Sequence, residues 1–361
     1  MSNILNNSEF DYLIFIGRFQ PLHRGHEAVI NAALQKAEKV IILVGSSNLS
    51  RSYYNPFTFE ERQDLIENSF YEDRNRLIIL PVEDWPYNNQ IWVKTVQNQV
   101  KSVILTNFPG NSKNNTLHGL SSIKVGLIGC SKDQTSFYLS LFPQWPSVNV
   151  SLASNGLSAS QIRENFFSGD PDLTWGDSSK LSIYVYRFLS SFKHSKEYNR
   201  LVEENTYVQM LKESWSCAPY PPVFVTVDAV VIQSGHVLLV TRKAKPGEGL
   251  LALPGGFIQN TEKLDDAVYR ELKEETKIKV PEPVLRGSTV KKELFDSPHR
   301  SVRGRTITQA YLIKLQDREE LPKVKGGDDA SHAQWIPLAE LNPKDIFEDH
   351  FFIIQKLVNE L

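Results

Sequence analysis

Glu271, Glu274 and Glu275 stand at positions i, i+3 and i+4. On a helix their carboxylates share one face. Like charges so placed repel, and a hard divalent cation that prefers oxygen ligands relieves the repulsion. Such a metal also activates water and neutralises a diphosphate. The three glutamates are therefore candidate metal ligands, and Glu275 is a candidate catalytic group as well. A lone Glu-Glu pair is most often a solvated helix face. Here the flanks are patterned: Gly256, five residues, Glu262, seven residues, then Arg270-Glu271-Leu272-Lys273-Glu274-Glu275. Arg270 can pair with Glu262 or Glu271, and Pro254-Gly255-Gly256 forms a sharp loop ahead of the helix.

A second set of chemically able residues lies near the start of the chain. Gly17-Arg18-Phe19-Gln20-Pro21-Leu22-His23-Arg24-Gly25-His26 joins an apolar run to an amphipathic one. A helix N-terminus offers unpaired N–H groups and a partial positive charge, which suit phosphate. Gly17 and Gly25 allow close backbone approach. His23 and His26 are one helical turn apart and can donate to a polyphosphate whose charge grows in the transition state. A bare HxGH is commonly just two surface histidines; its place at the first strand–helix junction favours the functional reading. Farther on, in Leu157-Ser158-Ala159-Ser160-Gln161-Ile162-Arg163, Ser158 or Ser160 can cap a helix that projects Arg163. Hydroxyls, free N–H groups and a guanidinium make a second phosphate grip, with a plain N-cap and a surface arginine as the bland alternative.

The elements that position these groups fall into two patterns. Residues 12–16 read as a buried strand, 25–37 as a helix, and 40–44, 77–82, 103–106, 125–128 and 148–153 as further strands. Short apolar runs separated by helices predict a parallel sheet with crossover helices, which binds ligands beyond the carboxyl ends of its strands. Residues 181–211 read as helical, and the three prolines within 214–223 break the pattern. After them 224–231 and 237–241 read as strands around a hairpin turn at 233–236, followed by a helix over 264–276. The expected organisation is a Rossmann-like α/β domain over 1–190, a helical, proline-rich linker over 191–221, and a second domain over 222–361.

HxGH with a late SxSxxR resembles the nucleotidyltransferase superfamily of adenylyl- and cytidylyltransferases. GRFQP (17–21), NPFTFEER (55–62), the 81–92 stretch and FPQW (142–145) are similar to the archaeal-type nicotinamide mononucleotide (NMN) adenylyltransferases, over about residues 10–190. The resemblance implies a parallel-sheet domain that joins ATP and NMN into NAD and pyrophosphate with magnesium. It implies that His23 and His26 hold ATP phosphates and Arg163 the β/γ end. Gly17, Arg18, Phe19, Ser158, Ser160 and Arg51 become substrate-binding candidates. Asp84 and Trp92 are implied in nicotinamide recognition, with Trp92 stacking on the ring; a core tryptophan is the other reading of that residue.

The second motif, G-x5-E-x7-R-E-U-x-E-E, is the Nudix signature. Residues 222–361 resemble the ADP-ribose pyrophosphatase branch that occurs fused to such adenylyltransferases. This implies an α/β/α domain with a mixed sheet that cleaves ADP-ribose to AMP and ribose 5-phosphate with magnesium, or manganese in its place. The full signature ends in glycine, where this chain has Lys277; that glycine serves a left-handed helix terminus. Arg303 and Arg305, in the basic run 299–308, are candidates for substrate phosphates or for a solvated strand. Asp328 or Asp329 is implied as a further metal ligand or base.

Composition narrows the rest. The chain has 361 residues, enough for two domains, and 41% are hydrophobic, enough for two cores. A net charge of −2 gives no basic field to attract nucleic acid. Two cysteines, Cys130 and Cys217, build no disulfide framework. The start lacks a basic region ahead of an apolar run, and no apolar segment approaches the roughly 20 residues that span a bilayer. A soluble cytoplasmic enzyme with small-molecule substrates is expected, free or as a homo-oligomer. Two other readings stay open: a Nudix half that only senses ADP-ribose-like ligands, and a first half that adenylylates a flavin or pantetheine phosphate.

Overall fold

The computed structural model describes residues 8–107, 123–129, 139–150, 158–168, 176–177 and 179–360. The chain divides into two compact units, Met1–Arg200 and Leu201–Leu361.

In the first unit β1 (Phe10–Gly17), β2 (Ala37–Val44), β3 (Leu77–Pro81), β4 (Val125–Gly129) and β5 (Ser147–Asn149) form one parallel sheet in the order β3-β2-β1-β4-β5. Leu13, Ile14 and 40–44 are fully buried, so both faces of the central strands are covered, as parallel sheets require. Helix α1 (Arg24–Lys36) follows β1, α2 (Phe59–Ser69) follows β2, and α3 (Asn89–Asn107) follows β3. The chain runs from β1 to one side through β2 and β3, and β4 and β5 lie on the other. The order reverses at β1, where such sheets open a ligand crevice; the HxGH loop leaves β1 there. Helices α4 (Ala159–Phe167) and α5 (Ile183–Phe192) complete the series, and α6 (Lys196–Ser214) spans the boundary at Arg200.

The strand expected over 103–106 is instead the last turns of α3. Val96, Val100 and Val103 are buried at i, i+4 and i+7, so the apolar run continues a helical stripe. Of the strand expected over 148–153, the described part forms β5 over Ser147–Asn149; 151–153, Leu157 and Cys130 lie outside the described residues. The helical stretch over 181–211 is two helices, α5 and α6.

In the second unit β6 (Val223–Gln233), β7 (His236–Arg242), β8 (Leu251–Ala252), β9 (Gly255–Phe257), β10 (Thr289–Phe295), β11 (Arg305–Lys314) and β12 (Ala330–Pro337) form a mixed sheet. β6 and β11 pair in parallel and the other pairs are antiparallel. Ser234 and Gly235 turn the β6–β7 hairpin with φ of 46° and 72°, the double positive φ that matches strand twist. Helix α7 (Leu264–Thr276) lays Ala267, Val268 and Leu272 on Val227, Ala229 and Val231, in a core that excludes water. Each such side chain contributes about 1.5–3 kcal/mol by burial. That anchoring fixes which face of α7 carries its glutamates. A short α8 (Glu282–Gly287) and a C-terminal α9 (His350–Val358) follow.

Lys277 takes the place of the signature glycine without changing the cap. It sits in the left-handed region (φ 47°, ψ 30°) and its N–H reaches the Lys273 carbonyl. A non-glycine residue there costs about 1 kcal/mol. Lys277→Gly is expected to stabilise the protein by up to about 0.5–1 kcal/mol, offset in part by the freer unfolded chain. Chemical denaturation checks it; an unchanged midpoint means Lys277 recovers its strain through its side chain.

Candidate active sites

The site in the first unit is built on the turn after β1. A Cβ on Gly17 would stand 3.0 Å from the Phe19 ring, so glycine is needed where the strand ends. Phe19 has φ 51° and is 1% exposed. Its ring packs 4.8 Å from His26 and 5.4 Å from Phe15. It is placed to support the histidine from below, and no ring face is left for a substrate. His23 is the N-cap of α1: its Nδ1 accepts the Gly25 N–H at 3.1 Å. That bond puts the proton of the neutral imidazole on Nε2, as a donor. The His23 and His26 rings stack at 3.8 Å with 24° between planes.

Three interior side chains hold this turn. Gln20 donates from Nε2 to Asn55 Oδ1 and to the Phe57 carbonyl at 2.8 Å, and its Oε1 accepts the Phe57 N–H at 2.9 Å. Arg62 on α2 is 1% exposed and donates to the carbonyls of Thr58, Arg18, Gly45 and Ser46 at 2.7–3.3 Å. Burial lowers its pKa to about 10, so it stays cationic. Arg163 on α4 is 3% exposed and gives Nη1 to the Gln20 carbonyl at 2.7 Å and Nη2 to Ser160 Oγ at 3.1 Å. Ser158 caps α4 by accepting the Ser160 N–H at 3.2 Å. The fold thus gathers His23, His26, Ser160 and Arg163 around one loop, with Ser158 next to them. Gln20 and Arg62 carry no signal in the spacing of charged residues; their partners are carbonyls from distant segments.

The remaining candidates are placed differently. The exposed Arg18 is near both Arg163 and Asp84: its charge adds to the burial that lowers Arg163 and opposes the burial that raises Asp84. Arg51 is already engaged: it forms a two-pronged pair with Glu61 at 3.0 and 3.2 Å, donates to the Pro56 carbonyl at 2.6 Å and lies over Phe192. Asp84 accepts the Ser46 N–H at 3.2 Å and its hydroxyl at 2.6 Å, and burial pushes its carboxyl up. Trp92, half-buried on α3, packs 5.8 Å from Phe142, which stacks on Trp145 at 5.0 Å.

In the second unit Arg270 is the hub. It donates to both oxygens of Glu262 at 2.9 and 2.5 Å, to Glu271 at 2.8 Å and to Glu274 at 3.0 Å. Glu275 lies seven residues after Val268, so it faces inward with the apolar stripe and is 7% exposed. It accepts the Gly255 N–H at 2.9 Å. Burial, then the charges of Glu271 and Asp228, push its carboxyl up to about 8. Burial also raises Glu271, and Asp328 adds to that. The loop has no spare room: a Cβ on Gly256 would stand 2.9 Å from the Glu271 carboxylate, and one on Gly255 2.1 Å from the Val227 carbonyl.

Among the described residues no three acidic, histidine or cysteine side chains are already gathered as a metal would hold them. The donors nonetheless fit a hard cation. Burial first, and then neighbouring carboxylates, hold Glu271 and Glu275 above the usual carboxylate range, and a cation beside them would offset both. Glu274 is 43% exposed and can turn away from Arg270. Asp329 gives its carbonyl to the Lys243 N–H at 3.1 Å. Arg305 is turned to the Asp296 carbonyl, while Arg303 lies over the Phe257 ring at 5.0 Å.

A buried polar network backs this loop. His350 accepts the Leu253 N–H on Nδ1 at 2.9 Å and burial drops its pKa to about 3, so it is neutral. Arg300 makes a two-pronged pair with Asp349 at 2.9 and 3.0 Å, and Thr308 donates to Asp228 at 2.6 Å. None of these was marked by spacing, because they come together only through the fold.

Comparison with known proteins gives the same division. A cytidylyltransferase-like family model matches residues 14–165 and a NUDIX domain model matches residues 222–357. A nicotinamide/nicotinic acid mononucleotide adenylyltransferase of Acinetobacter baylyi is 36% identical over 197 residues, 54% of this chain and 94% of that protein. An ADP-ribose pyrophosphatase of Methanocaldococcus jannaschii is 37% identical over 131 residues, 36% of this chain and 70% of that protein. The crystal structure of a bifunctional NMN adenylyltransferase/ADP ribose pyrophosphatase from Francisella tularensis, complexed with AMP and a manganese ion, superposes with a TM-score of 0.84. It is 36% identical, over 97% of this chain and 99% of that one. The chain belongs to the family of bifunctional NMN adenylyltransferase/ADP-ribose pyrophosphatase proteins.

Proposed function

We propose that the first unit transfers the adenylyl group of ATP to NMN, giving NAD and pyrophosphate, and that the second hydrolyses ADP-ribose to AMP and ribose 5-phosphate. The observation that supports the pair of activities is that one chain carries both candidate sites. The HxGH and SxSxxR arms meet through the Arg163–Gln20 bond, and the signature helix keeps all three glutamates. In the first reaction the NMN phosphate attacks the α-phosphorus of ATP and pyrophosphate leaves. His23, His26 and Arg163 align and neutralise that leaving group; the rest is positioning. Arg18, with Ser158 and Ser160, would supplement the grip. In the second reaction Glu271, Glu274 and Glu275 would hold magnesium, or manganese in its place, and the ion would neutralise the diphosphate. Arg270 would orient the carboxylates. Magnesium is also the expected companion of ATP in the first unit.

The test is product analysis with ATP plus NMN and, separately, ADP-ribose, across magnesium and manganese. NAD in the first set and AMP in the second are expected. No AMP at any metal concentration would turn the second unit into a ligand sensor. Adenylylation of a flavin or pantetheine phosphate in preference to NMN would reassign the first.

Trp92 offers a finer check. If it stacks on nicotinamide, Trp92→Ala raises KM for NMN more than KM for ATP, by the roughly 0.5–1.5 kcal/mol that stacking adds beyond burial. Equal rises, or loss of folding, would make its packing on Phe142 the whole of its role.

A further inference from the structure

Two arginines of the second unit share one aromatic ring, and among the described residues neither forms an ion pair. Arg242 closes β7 with its guanidinium 4.0 Å from the centroid of Phe347. Arg303, in the loop before β11, places its guanidinium 6.0 Å from the same centroid and 5.0 Å from that of Phe257. Phe347 is a fixed shelf. It is 3% exposed, its N–H donates to the Leu251 carbonyl at 2.8 Å, and a Cβ on Gly247 would stand 2.3 Å from its ring.

A guanidinium stacked on a ring keeps its N–H donors in its own plane, directed past the ring edge. Arg242 gives Nε to the Pro246 carbonyl at 3.0 Å, and Arg303 gives Nε to Ser301 Oγ at 3.3 Å. Among the described residues neither makes an ion pair. Neighbouring Arg300, by contrast, is fully taken up by Asp349. Glu348, which feels the charge of Arg303, accepts the Val302 N–H at 2.9 Å instead, and burial pushes its carboxyl up. Burial lowers the pKa of Arg242, and the charge of Arg303 lowers it further. Glu348, Glu275 and Asp329 reach Arg242 only through their charge; two cations so close, with unspent planar donors and no ion pair among the described residues, form half of an anion site. Guanidinium pairs of this kind suit phosphate oxygens, which they bind two at a time. The field of Glu275 reaches Arg242, so the pair lies beside the carboxylate helix.

We propose that Arg242, together with Arg303, grips the diphosphate of ADP-ribose from the side opposite the α7 carboxylates. The idea rests on the hydrolase reading of this unit. It adds a substrate-binding residue, Arg242, that no spacing in the sequence marks. Inorganic pyrophosphate carries the same chemistry and is the product proposed for the first unit, so it is the second arm of the test.

The experiment is calorimetric titration of the full chain with ADP-ribose, and separately with inorganic pyrophosphate, in the presence of a chelator. Wild type, Arg242→Met, Arg242→Lys, Arg303→Met and the surface control Lys344→Met are compared. ADP-ribose is expected to bind wild type and the control alike. Each methionine variant should bind about 10-fold or more weakly, since a charge-assisted hydrogen bond is lost. Arg242→Lys keeps the charge without the planar fork and should fall between; it carries the test if Arg242→Met does not fold. With metal present, KM for ADP-ribose should rise by the same factor while kcat holds, whereas a merely structural defect lowers kcat. The proposal is overturned if folded variants bind ADP-ribose as tightly as wild type, if wild type binds none without metal, or if pyrophosphate binds more tightly than ADP-ribose. Failure of the hydrolase reading looks different: wild type would bind ADP-ribose through the arginines and release no AMP with any metal.

Discussion

Glu275→Gln silences AMP release from ADP-ribose, by at least about 100-fold, and leaves NAD synthesis at the wild-type rate. The substitution keeps the shape of the side chain and its bond from Gly255. It removes the anionic oxygen that a hard cation needs, on a face whose other carboxylates are partly spent on Arg270. Equal AMP release by both proteins would remove Glu275 from the metal set. Stability should move the other way in metal-free buffer. The folded-state pKa of Glu275 is raised from 4.5 to about 8, so the wild-type protein is favoured while the carboxyl is protonated, at pH below the unfolded value. That advantage is lost as pH climbs through about 8. Glutamine never ionises. The variant should therefore gain on wild type between about pH 4.5 and 8 and keep that gain above it. Denaturation midpoints at pH 5 and pH 9 test this, and a constant difference would mean that Glu275 is not strained by its burial.

His26→Ala lowers the rate of NAD synthesis by roughly 100-fold or more, the usual cost of one donor to developing charge. AMP release from ADP-ribose should be unaffected. The alanine also removes one ring of the His23–His26 stack and uncovers Phe19. His26→Phe separates the two effects, because it keeps a ring over Phe19 without a donor. If the stack matters and the donor does not, phenylalanine restores activity; near-normal NAD synthesis by the alanine variant would sink the assignment altogether.

The signature helix was legible to the residue, because its glutamates, its glycines and its apolar stripe repeat at fixed intervals set by helix geometry. The turn after β1 was legible for the same reason: histidine and glycine types at a strand–helix junction mean something locally. The 103–106 run was misread because three apolar residues and a threonine fit a strand and the end of a helix equally. Only the burial of Val96 and Val100 behind Val103 decides between them. The roles of Gln20 and Arg62, which sit inside GRFQP and NPFTFEER, and of Arg242 and His350 were hidden for a deeper reason. Each acts on a carbonyl, an amide or a ring supplied by a segment far away in the chain, and no window of sequence contains both partners.

The buried Arg62 has a consequence for how this turn can be inherited. One side chain ties the carbonyl of Arg18 to those of Gly45 and Ser46, at the rims of β1 and β2. The geometry of 17–26 is therefore written partly in 55–62. Grafting the HxGH segment alone onto another parallel-sheet scaffold would move the histidines and leave their mooring behind. The smallest portable unit is the pair of segments, and a lineage could exchange residues in one only while the other stayed compatible.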